Sequence, residues 1–241
     1  MYAKSFCVMA GAVRSLIGNR VALALVLGAY AGLLSAAYLF VITREATISQ
    51  TVITLVALLV APALFFFLQA VSISYSDVKL APGFIRRTIV DCLKLLVVSI
   101  PLVTLAGLTL YFLNRTQTHL LASTTLRYLI IALIIPLLTI QLWITVGHSG
   151  LRAALKNLRG VLVQAFAPQS VAVYTLGFLV FAVAPYFLLQ TTVSIASGWL
   201  ELTVLIFRLA LSAILILGGW VTTVGAISIL NRGGLRIKEK L

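Results

Sequence analysis

Six apolar runs, each close to twenty residues or longer, constrain this chain more than any other feature of its sequence. An α-helix rises about 1.5 Å per residue, so about 20 residues cross a hydrocarbon core about 30 Å thick. Inside lipid an unpaired backbone N–H or C=O costs several kcal/mol, which leaves helices and closed barrels as the only spanning structures. Barrel strands would be about half this length and would alternate in polarity. The runs here are continuous, so the expected fold is an all-α membrane protein with six transmembrane helices. They lie at about Val21 to Thr43, Ile48 to Tyr75, Leu95 to Leu113, Leu126 to Gly147, Val171 to Thr192 and Leu202 to Leu230. Composition agrees, with 62% hydrophobic residues and only 10% charged. Soluble domains carry about 25% charged residues.

Charge placement sets an expected orientation. Lys4, Arg14, Arg20, Lys79, Arg86, Arg87, Lys94, Arg152, Lys156, Arg159, Arg232, Arg236, Lys238 and Lys240 fall on the side of the two termini, fourteen of the 18 basic residues. Only Arg44, Arg115 and Arg127 fall opposite, and Arg208 lies within the last run. Basic loops stay in the cytoplasm, so the sequence predicts a multi-pass protein of the cytoplasmic (inner) membrane with both termini cytoplasmic. The formal charge of +13 is thus a topology signal. No basic stretch is long enough, or interleaved enough with aromatics, to suggest a nucleic-acid partner. The first run is too long for a signal-peptide core and lacks a convincing cleavage site, so it is expected to remain as a span. Cys7 and Cys92 both precede spans on the cytoplasmic side, where a disulfide is not expected.

Three basic segments precede the odd-numbered spans. In the first, Phe6, Met9, Val13, Leu16 and Ile17 recur at helical spacing, with Arg14, Ser15 and Asn19 away from that stripe. In the second, which follows a break at Pro82-Gly83, Ile85, Ile89, Cys92 and Leu96 form one face. Arg87, Asp91 and Lys94 form another, with Arg86 beside them. The third sets Leu151, Leu155, Leu158, Leu162 and Phe166 opposite Arg152, Lys156 and Arg159, and Pro168 ends it. Apolar and basic faces back to back are the pattern of helices lying in the membrane interface. Each is expected to be an element in its own right, flat on the cytoplasmic face.

The segments recur in phase. Tyr38, Tyr111 and Tyr186 are 73 and 75 residues apart, and Pro62 and Pro136 are 74 apart. The reading is one membrane domain over 1–241, built from three units at about 1–76, 77–150 and 151–241. Each unit would be an interfacial helix followed by a transmembrane hairpin. This layout resembles bacterial integral membrane families of the YciC-like type. It is also similar to the membrane domain attached to some glycerophosphodiester phosphodiesterases. The resemblance lies in layout over nearly the whole chain and implies no defined catalytic residues.

Chemistry-bearing motifs are few. Gly147-His148-Ser149-Gly150 is similar to the GxSG string of rhomboid proteases, but a serine needs a base within hydrogen-bond reach. The two histidines, His119 and His148, fall outside the last spans, where that base would have to lie. The string is better read as the end of span four, with glycines where the chain turns. Arg208, about 10 Å below the outer boundary at Glu201, is either an anchor that snorkels outward or an intramembrane functional charge. Gln69, Gln141, Thr145, Thr222 and Thr223 would line a cavity open to the cytoplasm or hydrogen-bond between helices. Trp143, Trp199 and Trp220 suit interface belts, Trp220 being somewhat deep. Paired carboxylates, metal-ligand clusters and phosphate loops are missing, so no catalytic, cofactor or metal residue is assigned and no enzyme activity is expected.

The sequence therefore predicts a non-enzymatic integral membrane protein, either a membrane-organising factor or an accessory subunit of a membrane complex. Its expected partner is the anionic inner leaflet, reached through Arg14, Arg86, Arg87, Lys94, Arg152, Lys156 and Arg159. Other membrane subunits or a cytoplasmic ATPase are further candidate partners. One alternative is the permease subunit of an ABC-type exporter, which that ATPase would drive; another is an independent channel or transporter.

Overall fold

The computed structural model describes residues 2–43, 47–75, 84–115, 121–191 and 198–238. Arg44-Glu45, Lys79, Pro82-Gly83, His119, Ser197 and Lys240, which the sequence reading placed in turns and tails, lie outside them. Every regular element among the described residues is helical: α1 (Tyr2–Gly18), α2 (Arg20–Ile42), α3 (Ile48–Ser74), α4 (Phe84–Arg115), α5 (Leu121–Leu129), α6 (Ile135–Ser149), α7 (Leu151–Lys156), α8 (Leu158–Ala165), α9 (Pro168–Phe178), α10 (Ala184–Gln190) and α11 (Gly198–Lys238). A π turn at Ile130–Ile134 joins α5 to α6, and another at Leu179–Val183 joins α9 to α10. Six helical stretches among the described residues are long and apolar enough to cross a bilayer: Arg20–Ile42, Ile48–Ser74, Phe84–Phe112, Thr125–Ser149, Pro168–Gln190 and Gly198–Asn231.

The helices fall into two compact units, one of residues 19–167 and one of residues 1–18 with 168–241. The repeat boundaries expected near 76 and 150 both lie inside the first of these. There, α2 packs along α3 through a seam of small residues. Ala22, Val26, Ala29 and Ala36 are buried on α2, with Thr54 and Ala57 buried on α3. Asn19 starts α2 by accepting the Ala22 N–H at 3.1 Å, and Thr47 starts α3 by accepting that of Gln50 at 3.4 Å, each satisfying an orphan donor of the first turn. α4 packs on α3, α6 on α4 and α3, and α8 on α6.

In the other unit α1 packs against α9 and α11, and α10 packs against α11. The approach is closest where a Cβ on Gly177 would overlap the Thr223 hydroxyl, and where one on Gly219 would stand 2.9 Å from Phe181 Cβ. Tyr174, Phe178, Phe181 and Trp220 interlock beside these glycines, Phe181 and Trp220 edge to face at 5.3 Å.

Two surface elements differ from expectation. The second basic segment is not a separate helix but the first three turns of α4, which runs unbroken from Phe84 to Arg115. Nothing between Ile85 and Leu96 could break it: that stretch holds neither Gly nor Pro. The third segment is two helices rather than one. α7 ends where Asn157 takes φ −111° and ψ 34°, and α8 begins after it. The Asn157 side chain then lies over Gly160, where a Cβ would come within 2.6 Å of its amide nitrogen.

The π turns sit where two prolines enter the spans. Pro136 and Pro185 follow them directly as the second residues of α6 and α10. A proline ring clashes with the carbonyl four residues back, here that of Ala132 or Phe181, and the wider π turn makes room for it. Pro62 and Pro101 lie inside α3 and α4 without one, so local structure does not repeat with the sequence period.

Candidate functional site

The residues with the most to offer a ligand meet along the seam between α4 and α6. At one end, the first turns of α4 carry Arg86, Arg87, Val90, Asp91 and Lys94. Opposite them, α6 ends through Gly147, His148 and Ser149, and Gly150 turns the chain at φ +83°, a conformation that favours glycine. Its N–H still bonds the Val146 carbonyl at 3.0 Å. The GHSG string thus terminates a span, as its glycines suggest. His148 is the single histidine among the described residues, and it adjoins Ser149 in sequence instead of facing it from another helix.

These residues line an open cleft of about 660 Å³. Its electrostatics are cationic with one internal counter-charge. Asp91 is buried, and its carboxylate receives Lys94 Nζ at 2.7 Å and lies 3.8 Å from Arg87 Nε. Arg86 is exposed and makes no ion pair among the described residues. Among the described residues, three cations against one carboxylate leave two positive charges facing the cleft. The end of α3 closes it from behind with Ala70, Ile73 and Ser74, leaving a void of about 10 Å³.

Deeper along the same seam the lining becomes apolar. Trp143 Nε1 donates to Ser99 Oγ at 2.8 Å, and Ser99 Oγ donates in turn to the Leu95 carbonyl at 2.7 Å. The indole meets Phe65 and Phe66 edge to face, with ring centroids 6.1 and 6.0 Å away. Below Trp143 opens a groove of about 740 Å³, walled by α4 from Ser99 to Leu110 and by the π turn and α6 from Ile130 to Trp143. Across Phe65 and Phe66, a second apolar groove of about 520 Å³ lies between α2 and α3.

The other predicted residues are elsewhere. Arg14 is exposed on α1; Arg152 and Lys156 on α7 and Arg159 on α8 are also exposed, and none of them lines this cleft. Arg208 has a structural partner. Its Nε donates to the Leu188 carbonyl at 2.6 Å and its Nη2 donates to the same oxygen. That carbonyl is one of those left without an intrahelical donor at the end of α10, and a cation there also suits the helix dipole. Glu201, exposed seven residues earlier, is not its partner.

Two sequence expectations change. The hydroxyls of Thr145, Thr222 and Thr223 do not bridge helices. Each donates to the carbonyl four residues back, that of Gln141, Gly218 or Gly219, at 2.8, 2.6 and 2.6 Å. Gln141 does bridge, its Nε2 donating to the Gln164 carbonyl of α8 at 3.3 Å. Trp143 is not a belt residue but is buried at the head of the groove. Sequence reasoning missed Ser99 altogether; as a lone serine in an apolar run it gave no signal beyond its polarity.

Among the described residues, no group of three or more His, Cys, Asp or Glu could hold a metal ion. Comparison of the chain with protein-family models, with curated proteins and with solved structures finds no match.

Proposed function

We propose that this is a non-enzymatic integral protein of the cytoplasmic membrane, built as three hairpins with both termini in the cytoplasm. Amphipathic basic segments lead each hairpin onto the anionic inner leaflet, and the protein acts as a membrane-organising factor or as an accessory subunit of a larger membrane complex. One observation carries the reading: basic and large apolar side chains are exposed together on the same short stretches. Phe6, Val13 and Ile17 stand out from α1 beside Arg14. Ile85 and Ile89 do so from α4 beside Arg86 and Arg87, and Leu155, Leu158 and Leu162 from α7 and α8 beside Arg152, Lys156 and Arg159. Apolar groups reaching into the acyl boundary and cations at headgroup level are how interfacial segments bind. Each basic residue near an anionic surface contributes about 1 kcal/mol.

The packing of these segments also supports the threefold layout. The start of α4 lies against α3, and α8 against α6, each on the span before it in sequence; α1 lies against α9 and α11. The layout resemblance to YciC-like families implies no defined catalytic residues, which is consistent with a non-enzymatic role.

Native co-purification in a mild detergent tests the proposal. The expected outcome is a membrane protein partner in fixed ratio, or the protein alone with lipid, and no nucleotide hydrolysis in either case. A co-purifying ATPase stimulated on reconstitution would overturn it in favour of an exporter permease. Solute flux above that of empty proteoliposomes would overturn it in favour of a transporter.

A further inference from the structure

The geometry points to a site for one anionic phospholipid of the cytoplasmic leaflet, with its phosphate in the Arg86, Arg87 and Lys94 cleft and an acyl chain in the groove beneath Trp143. The inference rests on the reading that this end of α4 faces the cytoplasm, and it adds to that reading a defined ligand and place.

Three observations converge on a lipid. Charge complementarity at the mouth is the first. Asp91 engages Lys94 and Arg87, which holds the cationic groups in register, yet among the described residues the cleft keeps a surplus of two positive charges and an Arg86 without an ion pair. Arginine pairs with phosphate oxygens through parallel N–H donors.

The second is that the groove offers a ligand nothing polar. Ser99 Oγ is engaged by Trp143 and Leu95, Thr109 Oγ1 donates to the Leu105 carbonyl at 2.8 Å, and Thr139 Oγ1 to that of Ile135 at 2.7 Å. With the hydroxyls along its wall already bonded, the groove suits hydrocarbon and disfavours a soluble polar ligand.

Length is the third. From Ser99 to Leu110, α4 covers about 16 Å at 1.5 Å per residue. That is one leaflet's share of a hydrocarbon core about 30 Å thick. On the same scale Lys94 lies about 8 Å above Ser99, and Arg87 and Arg86 about 18 and 20 Å, so the headgroup belongs at the Lys94 end of the cleft with the two arginines reaching down to it. Mouth and groove are therefore stacked along one seam in the order that an amphiphile requires.

The test is native mass spectrometry of the full chain released from nanodiscs of equimolar phosphatidylglycerol and phosphatidylcholine. The wild type should retain one phosphatidylglycerol in preference to phosphatidylcholine. Arg86→Gln with Arg87→Gln should lower that retention about tenfold or more. Arg152→Gln with Arg159→Gln, which removes as much charge away from the cleft, should leave it unchanged.

Ala106→Trp, filling the groove, should abolish retention with the charges intact. Should that variant fail to fold, Gly107→Leu takes its place, since a Cβ on Gly107 meets nothing within 4 Å. Equal retention of the two lipids, or unchanged retention in either the double arginine variant or the filled groove, would overturn the proposal. Displacement of the lipid by glycerol phosphate alone, at the concentration of free lipid that gives half retention, would reduce the site to one for soluble anions and overturn it too.

Orientation is separable from the site. Lys156→Cys, in a chain with Cys7 and Cys92 changed to alanine, should resist an impermeant maleimide in intact cells. Labelling there would remove the cytoplasmic reading itself, whereas protection without lipid retention would remove only the site.

Discussion

Gly177→Ala is the substitution whose cost can be worked most directly from the structure. Gly177 is buried where α9 crosses α11, and an added Cβ would overlap Thr223 Oγ1 and stand 2.8 Å from its Cγ2 and 2.9 Å from its Cβ. Thr223 cannot swing aside at low cost. It is fully buried, and its hydroxyl donates to the Gly219 carbonyl at 2.6 Å. Inserting a methyl into a packed contact of this kind costs about 1–3 kcal/mol. Alanine returns about 0.5–1 kcal/mol through its lower conformational entropy loss in a helix, and with the overlap at Thr223 Oγ1 placing the cost toward its upper end, a net loss of up to about 2.5 kcal/mol is expected. SDS titration of the protein in dodecyl maltoside, followed by circular dichroism and by tryptophan fluorescence, reads this out. Two companions make the reasoning refutable. Thr223→Ala removes two of the three overlapping atoms, so combined with Gly177→Ala it should show a favourable coupling of about 0.5 kcal/mol or more. Gly28→Ala, where a Cβ meets nothing within 4 Å, should be neutral or stabilising. If Gly177→Ala unfolds at the wild-type SDS fraction, or Thr223→Ala restores nothing, the close crossing described here is wrong.

Three further outcomes follow from named contacts. Arg208→Leu should insert normally but lose about 1–2 kcal/mol in the same titration, because the Leu188 carbonyl loses a charged donor; Arg208→Lys should recover part of that. Ser99→Ala and Trp143→Phe, taken through a double-mutant cycle, should give a coupling near the ~0.6 kcal/mol average for hydrogen bonds within membranes, and no more than about 1.7 kcal/mol. Asp91→Asn removes the only carboxylate that lines the cleft among the described residues, so phosphatidylglycerol retention by native mass spectrometry should rise, while unchanged or lower retention would mean that Asp91 serves chiefly to position Arg87 and Lys94.

The spans were legible because their cause is local. A run long enough to cross lipid must be helical, and the first expected span, Val21 to Thr43, differs from α2 by one residue at each end. The continuity of α4 ran against the separate surface helix expected there, because the switch from a basic face to an apolar run outweighed the absence of any breaker between them. The break at Asn157 was not legible either, because the leucine periodicity runs straight through it while the backbone does not. The π turns were half legible. Pro136 and Pro185 each demand relief from a ring clash, but Pro62 and Pro101 make the same demand and are met without one.

The deeper mismatch lies in which faces are buried, and it has one physical source. In water an apolar stripe marks the face of a helix that packs inward. In lipid it does not, because acyl chains are as apolar as leucine and association is driven by close approach. On α1 the protein therefore buries Ser5, Ala12 and Leu16 and leaves Phe6, Val13 and Ile17 outside. On α7 and α8 it buries Ala154, Val161 and Ala165 and exposes Leu155, Leu158 and Leu162. Gly177, Gly219 and the alanine seam of α2 follow the same rule. Small residues, which hydropathy treats as weak signals, say where helices meet, and large ones say where lipid lies. By that inversion most of the exposed apolar surface needs no partner beyond the bilayer. The α4–α6 seam stands apart because its wall is concave, its hydroxyls are already bonded, and its mouth holds cations that one buried carboxylate does not neutralise.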